Sequence, residues 1–451
     1  MALPPGPRLP VAAQTLLFGL KSVDYMERCG RRYGDAFTLR LPAGRTLVLF
    51  SRPDAIRDIF AASPEDATAG DSNAFALEPF VGSGSLLLLD GRRHLDERRL
   101  MLPPFHGERM RAYTGLIADI TREDIASWPA GSAFSMRSRT QEITFEVILR
   151  AVFGLDEGER LHAVRAATAD MLRFASKPLL MLPAFRRDLG PLTPWRRFVE
   201  VRARVRGAIV DTIRERRADP MIAERADILS MLVQARRPDG SDLGDDELCD
   251  ELLTLLLAGH ETTATALAWT FDLVLHDPPV LERLHRDPDD DAYVDAVIKE
   301  ALRLRPVIPE VGRRLVRPMT IGGIDLPAGV FAVPNIVLVH RRPDVYPDPL
   351  AFRPERFLGR RPDPYAWLPF GGGTRRCLGA SFAQTEMRVV LRTVLASTRL
   401  RAADPDLEQV RRRIVTLAPR HGTRVVVDSA DVPPRMMQRT QSACRTDASH
   451  V

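Results

Sequence analysis

The stretch DDELCDELLTLLLAGHETTATALAWTFDLVLH, Asp245 to His276, constrains the fold of this chain more than any other. Its apolar period predicts one unbroken helix, opened by acids that suit a helix N-terminus and stopped before Asp277-Pro278-Pro279. At 1.5 Å per residue such a helix is roughly 48 Å long, enough to cross a whole domain. Its middle is apolar on nearly every face, so it belongs inside the protein. The centre nevertheless carries AGHETT, residues 258 to 263, with a carboxylate and two hydroxyls. Buried polar groups need partners. Read alone, Thr262 bonds back to a helical carbonyl and Glu261 pairs with a nearby arginine. His260 and Glu261 suggest a zinc-protease helix, but position 264 is alanine, so the second histidine is missing.

The rest of the chain must enclose that helix. With 451 residues, 45% hydrophobic and 27% charged, it has enough apolar material for a large core. Helical periods dominate, broken by turns such as RRPDGSD and RDPDDD. Alternation on both sides of Pro-Ala-Gly predicts a hairpin over 35–51, and MTIGGIDLPAGVFAVPN predicts a second over 319–335. The expected architecture is mainly α with small β-sheets: one domain over residues 1–430 and a polar tail, 431–451, without order.

A net charge of +5 raises nucleic-acid binding, but acids and bases are interspersed and no long basic run exists. No nucleic-acid partner is expected. Cys29, Cys249, Cys377 and Cys444 lie far apart, which argues against a disulfide framework or a zinc ribbon. VAAQTLLFGL, residues 11 to 20, is too short to span a bilayer, and MALPPGPRLP lacks the pattern of a secretory leader. A cytoplasmic protein with no transmembrane segment is the expectation.

Three further segments follow the long helix. EALR, Glu300 to Arg303, sets two opposite charges on one helix face. FRPERF, 352 to 357, places Arg356 in a turn, and FGGGTRRCLG, 370 to 379, sets Cys377 between a glycine-rich turn and a helix start. In this order the set resembles the cytochrome P-450 family of heme-thiolate monooxygenases, over roughly residues 4–425. Phe370, Gly373, Arg375, Cys377 and Gly379 match the family's cysteine signature without gaps. EALR, AGHETT and FRPERF match its other motifs, and DGRRHLDERRLMLPPF, 90 to 105, is similar to its heme-contacting C helix. Glu261 stands where many relatives have aspartate.

The resemblance implies heme b (iron protoporphyrin IX), with Cys377 as the iron ligand. A thiolate donates electron density that favours cleavage of the O–O bond. Glycines 371 to 373 are expected to let the backbone turn and bring N–H groups near the sulfur. Gly379 lets the following helix lie close to the porphyrin, and Phe370 belongs to the same cofactor-binding loop. His94, Arg98, Arg313 and Arg375 are implied as partners of the two propionates, with the adjacent Arg314 as an alternative to Arg313. Glu261 and Thr262 become the catalytic pair that delivers protons. Ala258 and Gly259 are expected to leave room for dioxygen. Glu300, Arg303 and Arg356 form a buried ion network that serves as scaffold.

By the same resemblance the substrate pocket is lined by residues 73–82, 171–185, 306–311 and 416–419. These are mostly apolar, which points to a hydrophobic, lipid-like substrate. Electrons come from separate proteins, a ferredoxin or flavodoxin with its NAD(P)H reductase, docking at Arg92, Arg93, Arg99 and Arg376. Two alternatives remain at this point. One is a peroxide-dependent or rearranging heme-thiolate enzyme. The other is a non-enzymatic heme- or lipid-binding protein.

Overall fold

The computed structural model describes residues 2–105, 107, 109–154, 164–171, 186, 190 and 193–430. The expectations for the tail 431–451 and for pocket segment 171–185 beyond Met171 lie outside the described residues.

The central helix runs Asp245–Leu275, about 46 Å at 1.5 Å per residue, with His276 as its C-cap. Asp245, Asp246 and Glu247 fill its first turn, where their charge meets the positive helix end. Glu247 also reaches back to the Gly244 amide at 3.1 Å, so one of the free N–H groups is satisfied. Leu248, Leu252, Leu253, Leu256, Leu267 and Phe271 are all buried in the main core. At about 25 cal/mol per Å², each stabilises the fold by roughly 1.5–3 kcal/mol.

The helix Met136–Phe153 packs along it. Thr140 and Thr144 donate from that helix to the carbonyls of Ala264 (2.9 Å) and His260 (3.0 Å). A Cβ on Gly259 would lie 2.7 Å from the Ile148 side chain, so the glycine is what lets the two helices approach. The room expected at Gly259 is therefore filled by Ile148.

The first predicted hairpin forms as Ala36–Leu41 against Arg45–Phe50, with Ala43 and Gly44 at positive φ in the turn. The second is shorter than expected. Met319–Ile321 pairs only with Ile324–Leu326. Phe331–Pro334 instead leaves to pair in parallel with Arg45–Phe50 and antiparallel with Arg313–Leu315. All four residues of that strand are buried, which places it inside the five-stranded sheet. Among the described residues, no helix is long and apolar enough to cross a membrane.

Candidate functional site

The cysteine loop is shaped by its glycines. Gly371 and Gly373 adopt φ of 65° and 63°, a conformation that side chains resist. A Cβ on Gly372 would lie 2.4 Å from the Phe60 ring, and one on Gly373 2.6 Å from the Phe60 carbonyl. The loop thus turns tightly because it packs against the helix Pro53–Ala61. The Cys377 amide returns to the Phe370 carbonyl at 2.9 Å, and the helix Ala380–Ser397 begins directly after Gly379.

Cys377 is exposed on its own surface, yet crowding by protein pushes its thiol pKa up. Both hold together when a side chain lines an interior space. The Gly379 amide, Arg98 and Arg376 pull the other way, stabilising the thiolate. The amide that acts on the sulfur is thus that of Gly379 at the helix start, whereas the expectation placed it in the glycine turn. A Cβ on Gly379 would meet nothing within 4 Å, so the space extends past it. Phe370 is half-buried and rings with Trp367 at 6.0 Å.

His94, Arg98, Arg313 and Arg375 come together in the fold. Burial drives the His94 pKa down to about 3, and Arg375, Arg98 and Arg313 push the same way. Arg313 is buried and lowered to about 10, first by burial and then by Arg375. Its guanidinium donates to the neighbouring Gly312 carbonyl, 2.9 Å away. Strand alternation turns Arg314 outward, where it pairs with Asp71 at 2.9 Å. Arg375 bonds to Asp90 and to the Leu89 and Leu86 carbonyls. Arg98 faces Cys377 and Arg376 and makes no ion pair among the described residues. Three guanidinium groups therefore meet one carboxylate, Asp90, an excess of two positive charges. A dianion with an apolar body, resting beside an accessible thiol, fits that excess.

On the central helix, Ala258 is exposed and Thr262 half-buried, while Leu256, His260 and Thr263 beside them are buried. Thr262 Oγ1 donates to the Ala258 carbonyl at 2.6 Å. Glu261 turns toward the neighbouring helix, bonding Arg137 and the Gln141 amide. The hydroxyl and the carboxylate thus face different sides of the helix. Arg137 and Gln141 are four apart, a spacing that sets both on one face. Their meeting with Glu261, more than a hundred residues away, was beyond sequence reading.

The scaffold network forms in full. Arg303 donates Nε to Glu300 at 2.6 Å and Nη2 at 2.8 Å, with both residues at 0% exposure. Arg356 and the Arg353 amide reach Glu300 at 3.2 and 3.0 Å. Arg303 also donates to the carbonyls of His340 and Pro349, each 2.7 Å away. His340, unmarked by any motif, completes it. Its Nε2 accepts from the Leu368 amide at 2.8 Å, leaving Nδ1–H to donate to the Arg303 carbonyl at 3.0 Å. This ties the network to the chain two residues before Phe370. Burial, with Arg303 adding to it, lowers the His340 pKa to about 3, so it is neutral.

Another residue missed from sequence is Glu386, on the helix after Cys377. It is fully buried and both carboxyl oxygens lack partners. Burial raises its pKa well above the ordinary value; the Thr263 hydroxyl pulls the other way but donates to the Gly259 carbonyl at 3.0 Å. A carboxyl without partners there resists ionisation.

Residues 3–422 match the family described as Cytochrome P450. Cytochrome P450 135B1 of Mycobacterium bovis is 42% identical over 438 residues, covering 95% of this chain and 92% of that protein. Cytochrome P450 138 of Mycobacterium tuberculosis is 40% identical, covering 94% and 96%. Among solved structures, a retinoic acid-bound cyanobacterial CYP120A1 superposes with a TM-score of 0.82 at 25% identity, covering 95% of this chain and 99% of that one. The chain belongs to the cytochrome P450 family. It is a heme-thiolate enzyme of this monooxygenase family, and its cofactor is heme.

Proposed function

We propose that this enzyme oxygenates a hydrophobic, lipid-like small molecule, with electrons from a separate ferredoxin or flavodoxin served by an NAD(P)H reductase. Residues 1–430 constitute its heme domain. The observation that carries the reading is an accessible hydroxyl, Thr262, one residue after an acid, in the middle of a helix buried along most of its length. Apolar lining supports the substrate class: Val307 is buried, as is all of Thr416–Pro419. The similar cyanobacterial protein holds retinoic acid, itself a lipophile.

In this reading Cys377 Sγ is the iron ligand, and heme, when bound, supplies the iron at which dioxygen is reduced and its O–O bond cleaved. Phe370 and Gly379 seat the porphyrin. His94, Arg98, Arg313 and Arg375 hold the propionates, answering the excess of positive charge. Thr262 Oγ1 orients water in the interior space and passes protons to the oxygen side. Glu261, ion-paired to Arg137 on the other side of the helix, joins the relay only on leaving Arg137 and Gln141. At the proximal face Arg92 and Arg99 share Asp96, and Arg93 pairs with Glu247. Arg376 has no such partner among the described residues and is the centre of the docking patch.

The test has two arms. The reduced, CO-bound protein shows the red-shifted band of thiolate ligation and Cys377→Ala loses it. Thr262→Ala keeps heme and substrate binding but diverts electrons to peroxide. Product formed equally well from peroxide, with coupling unchanged in Thr262→Ala, would leave the peroxide-dependent reading.

A further inference from the structure

The helix Val11–Leu20 presents an apolar face to solvent. It carries no charged residue, and a helix without charge on any face ordinarily belongs inside a protein. Its inner side is firmly seated. Gln14 is buried, giving its Nε2 to the Leu9 carbonyl at 2.8 Å and taking the Arg40 amide at 2.9 Å, which ties the helix to the strand Ala36–Leu41. Leu17 and Phe18 pack on a cluster with Phe37 and Leu39, and the Arg412 guanidinium lies over the Phe18 ring at 4.4 Å. The helical period gathers Val11, Ala12, Leu16, Gly19 and Leu20 on the opposite side. All are exposed, Leu16 to 60% and Leu20 to 72%. Thr15, the one hydroxyl among them, donates to the Val11 carbonyl at 2.8 Å. Single exposed leucines are ordinary; a continuous face of them without a charge is not.

Charge decides what the face meets. Arg8 and Lys21 stand at its two ends, both exposed and neither in an ion pair among the described residues. Residues 1–23 contain no acid, and Asp24 is the first. A second copy of this chain, paired antiparallel through the face, would set these cations against like charges. A helix about 15 Å long and about 10 Å wide also falls far short of the roughly 800 Å² per partner that stable association takes. An anionic bilayer needs no such matched surface. Leucines enter the boundary between headgroups and acyl chains, and flanking cations reach the lipid phosphates. We propose that this face docks the protein on an anionic lipid surface, with Leu16 and Leu20 inserted and Arg8 and Lys21 among the headgroups. Gln14 pins the helix beforehand, so little ordering is lost on binding.

The experiment sediments the full-length, heme-loaded protein with vesicles of phosphatidylcholine alone or mixed with phosphatidylglycerol. No turnover is measured, so the outcome stands apart from the proposed substrate and reaction. Binding should rise with the phosphatidylglycerol share and fall with salt. Leu16→Asp combined with Leu20→Asp should abolish it while the CO band and melting temperature stay, because both side chains are exposed. Lys21→Gln should weaken it roughly fivefold, for one charge lost near an anionic surface. No sedimentation with either vesicle would overturn the proposal, as would binding unchanged in the double variant. Dimers that the double variant loses, without vesicle binding, would make the face a contact between copies and overturn it too. If the double variant does not fold, the lipid-composition series and Lys21→Gln decide alone.

Discussion

Two buried charge clusters flank the cysteine loop, and they differ in completeness. Around Glu300, each guanidinium and carboxylate has its partners inside the protein. Around His94, two guanidinium groups have no carboxylate to answer them. A buried charge with its full set of partners is scaffold, because breaking it strands what remains. A buried charge kept without a partner is costly unless a ligand completes it. The same chain makes both kinds, so incompleteness is the feature that separates a binding site from a brace.

The largest effect should come from breaking the complete cluster. Glu300→Ala removes the acid beneath Arg303 and should cost about 3–5 kcal/mol, a large part of a typical domain's stability. The expected outcome is little folded protein, read as soluble yield and as urea midpoint of any that is recovered. A stable, heme-binding Glu300→Ala protein would contradict the scaffold assignment.

The incomplete cluster should respond in the opposite sense. Arg98→Leu removes a cation that has no ion pair, so the heme-free protein should keep its urea midpoint or gain slightly. Heme affinity should fall about 10- to 100-fold, for one charge-assisted bond worth about 1.5–3 kcal/mol. Heme transfer to apomyoglobin measures the loss. An apoprotein as damaged as Glu300→Ala would erase the contrast.

Acid sharpens the comparison through one histidine in each cluster. Both His94 and His340 titrate at about 3 in the fold, against about 6.5 unfolded. Protons therefore bind the unfolded chain first. Stability is complete above pH 6.5 and falls as pH drops from there toward 3. Heme propionates beside His94 would raise its pKa, whereas both His340 ring nitrogens are engaged with the backbone of Arg303 and Leu368. The heme-free protein should thus lose stability more steeply below pH 6.5 than the loaded one. His94→Gln should narrow that difference while preserving the His340 share, as followed by denaturant midpoints from pH 7 to 4.5.

The smallest effect belongs to the surface. Arg92, Arg93 and Arg99 are tied to acids on their own face, while Arg376 is free of such pairing among the described residues. Reversing Arg376 to Glu should slow heme reduction by a ferredoxin several-fold at low salt. The difference should fade as ionic strength shortens the Debye length below about 10 Å. Reversing Arg92 should do less. Equal effects at both positions, or none with salt, would remove the proposed docking centre.

What could be read from the residues alone was local in origin. The long helix follows from apolar positions and end signals within one segment, and the cysteine loop from glycines beside a helix start. EALR is legible because residues three apart must share a helix face. The remainder depends on segments that meet only in the fold. Pairing with the inner sheet turns Arg313 inward and Arg314 out, and draws Phe331–Pro334 away from the hairpin. Packing of the Met136–Phe153 helix gives Glu261 its partners and uses the space at Gly259. His340 and Glu386 carry no motif, since nothing near them in sequence marks their surroundings. A residue's neighbours along the chain set its period and its turn. Burial and charge balance belong to neighbours brought from a hundred residues away, and those exist only once the chain has packed.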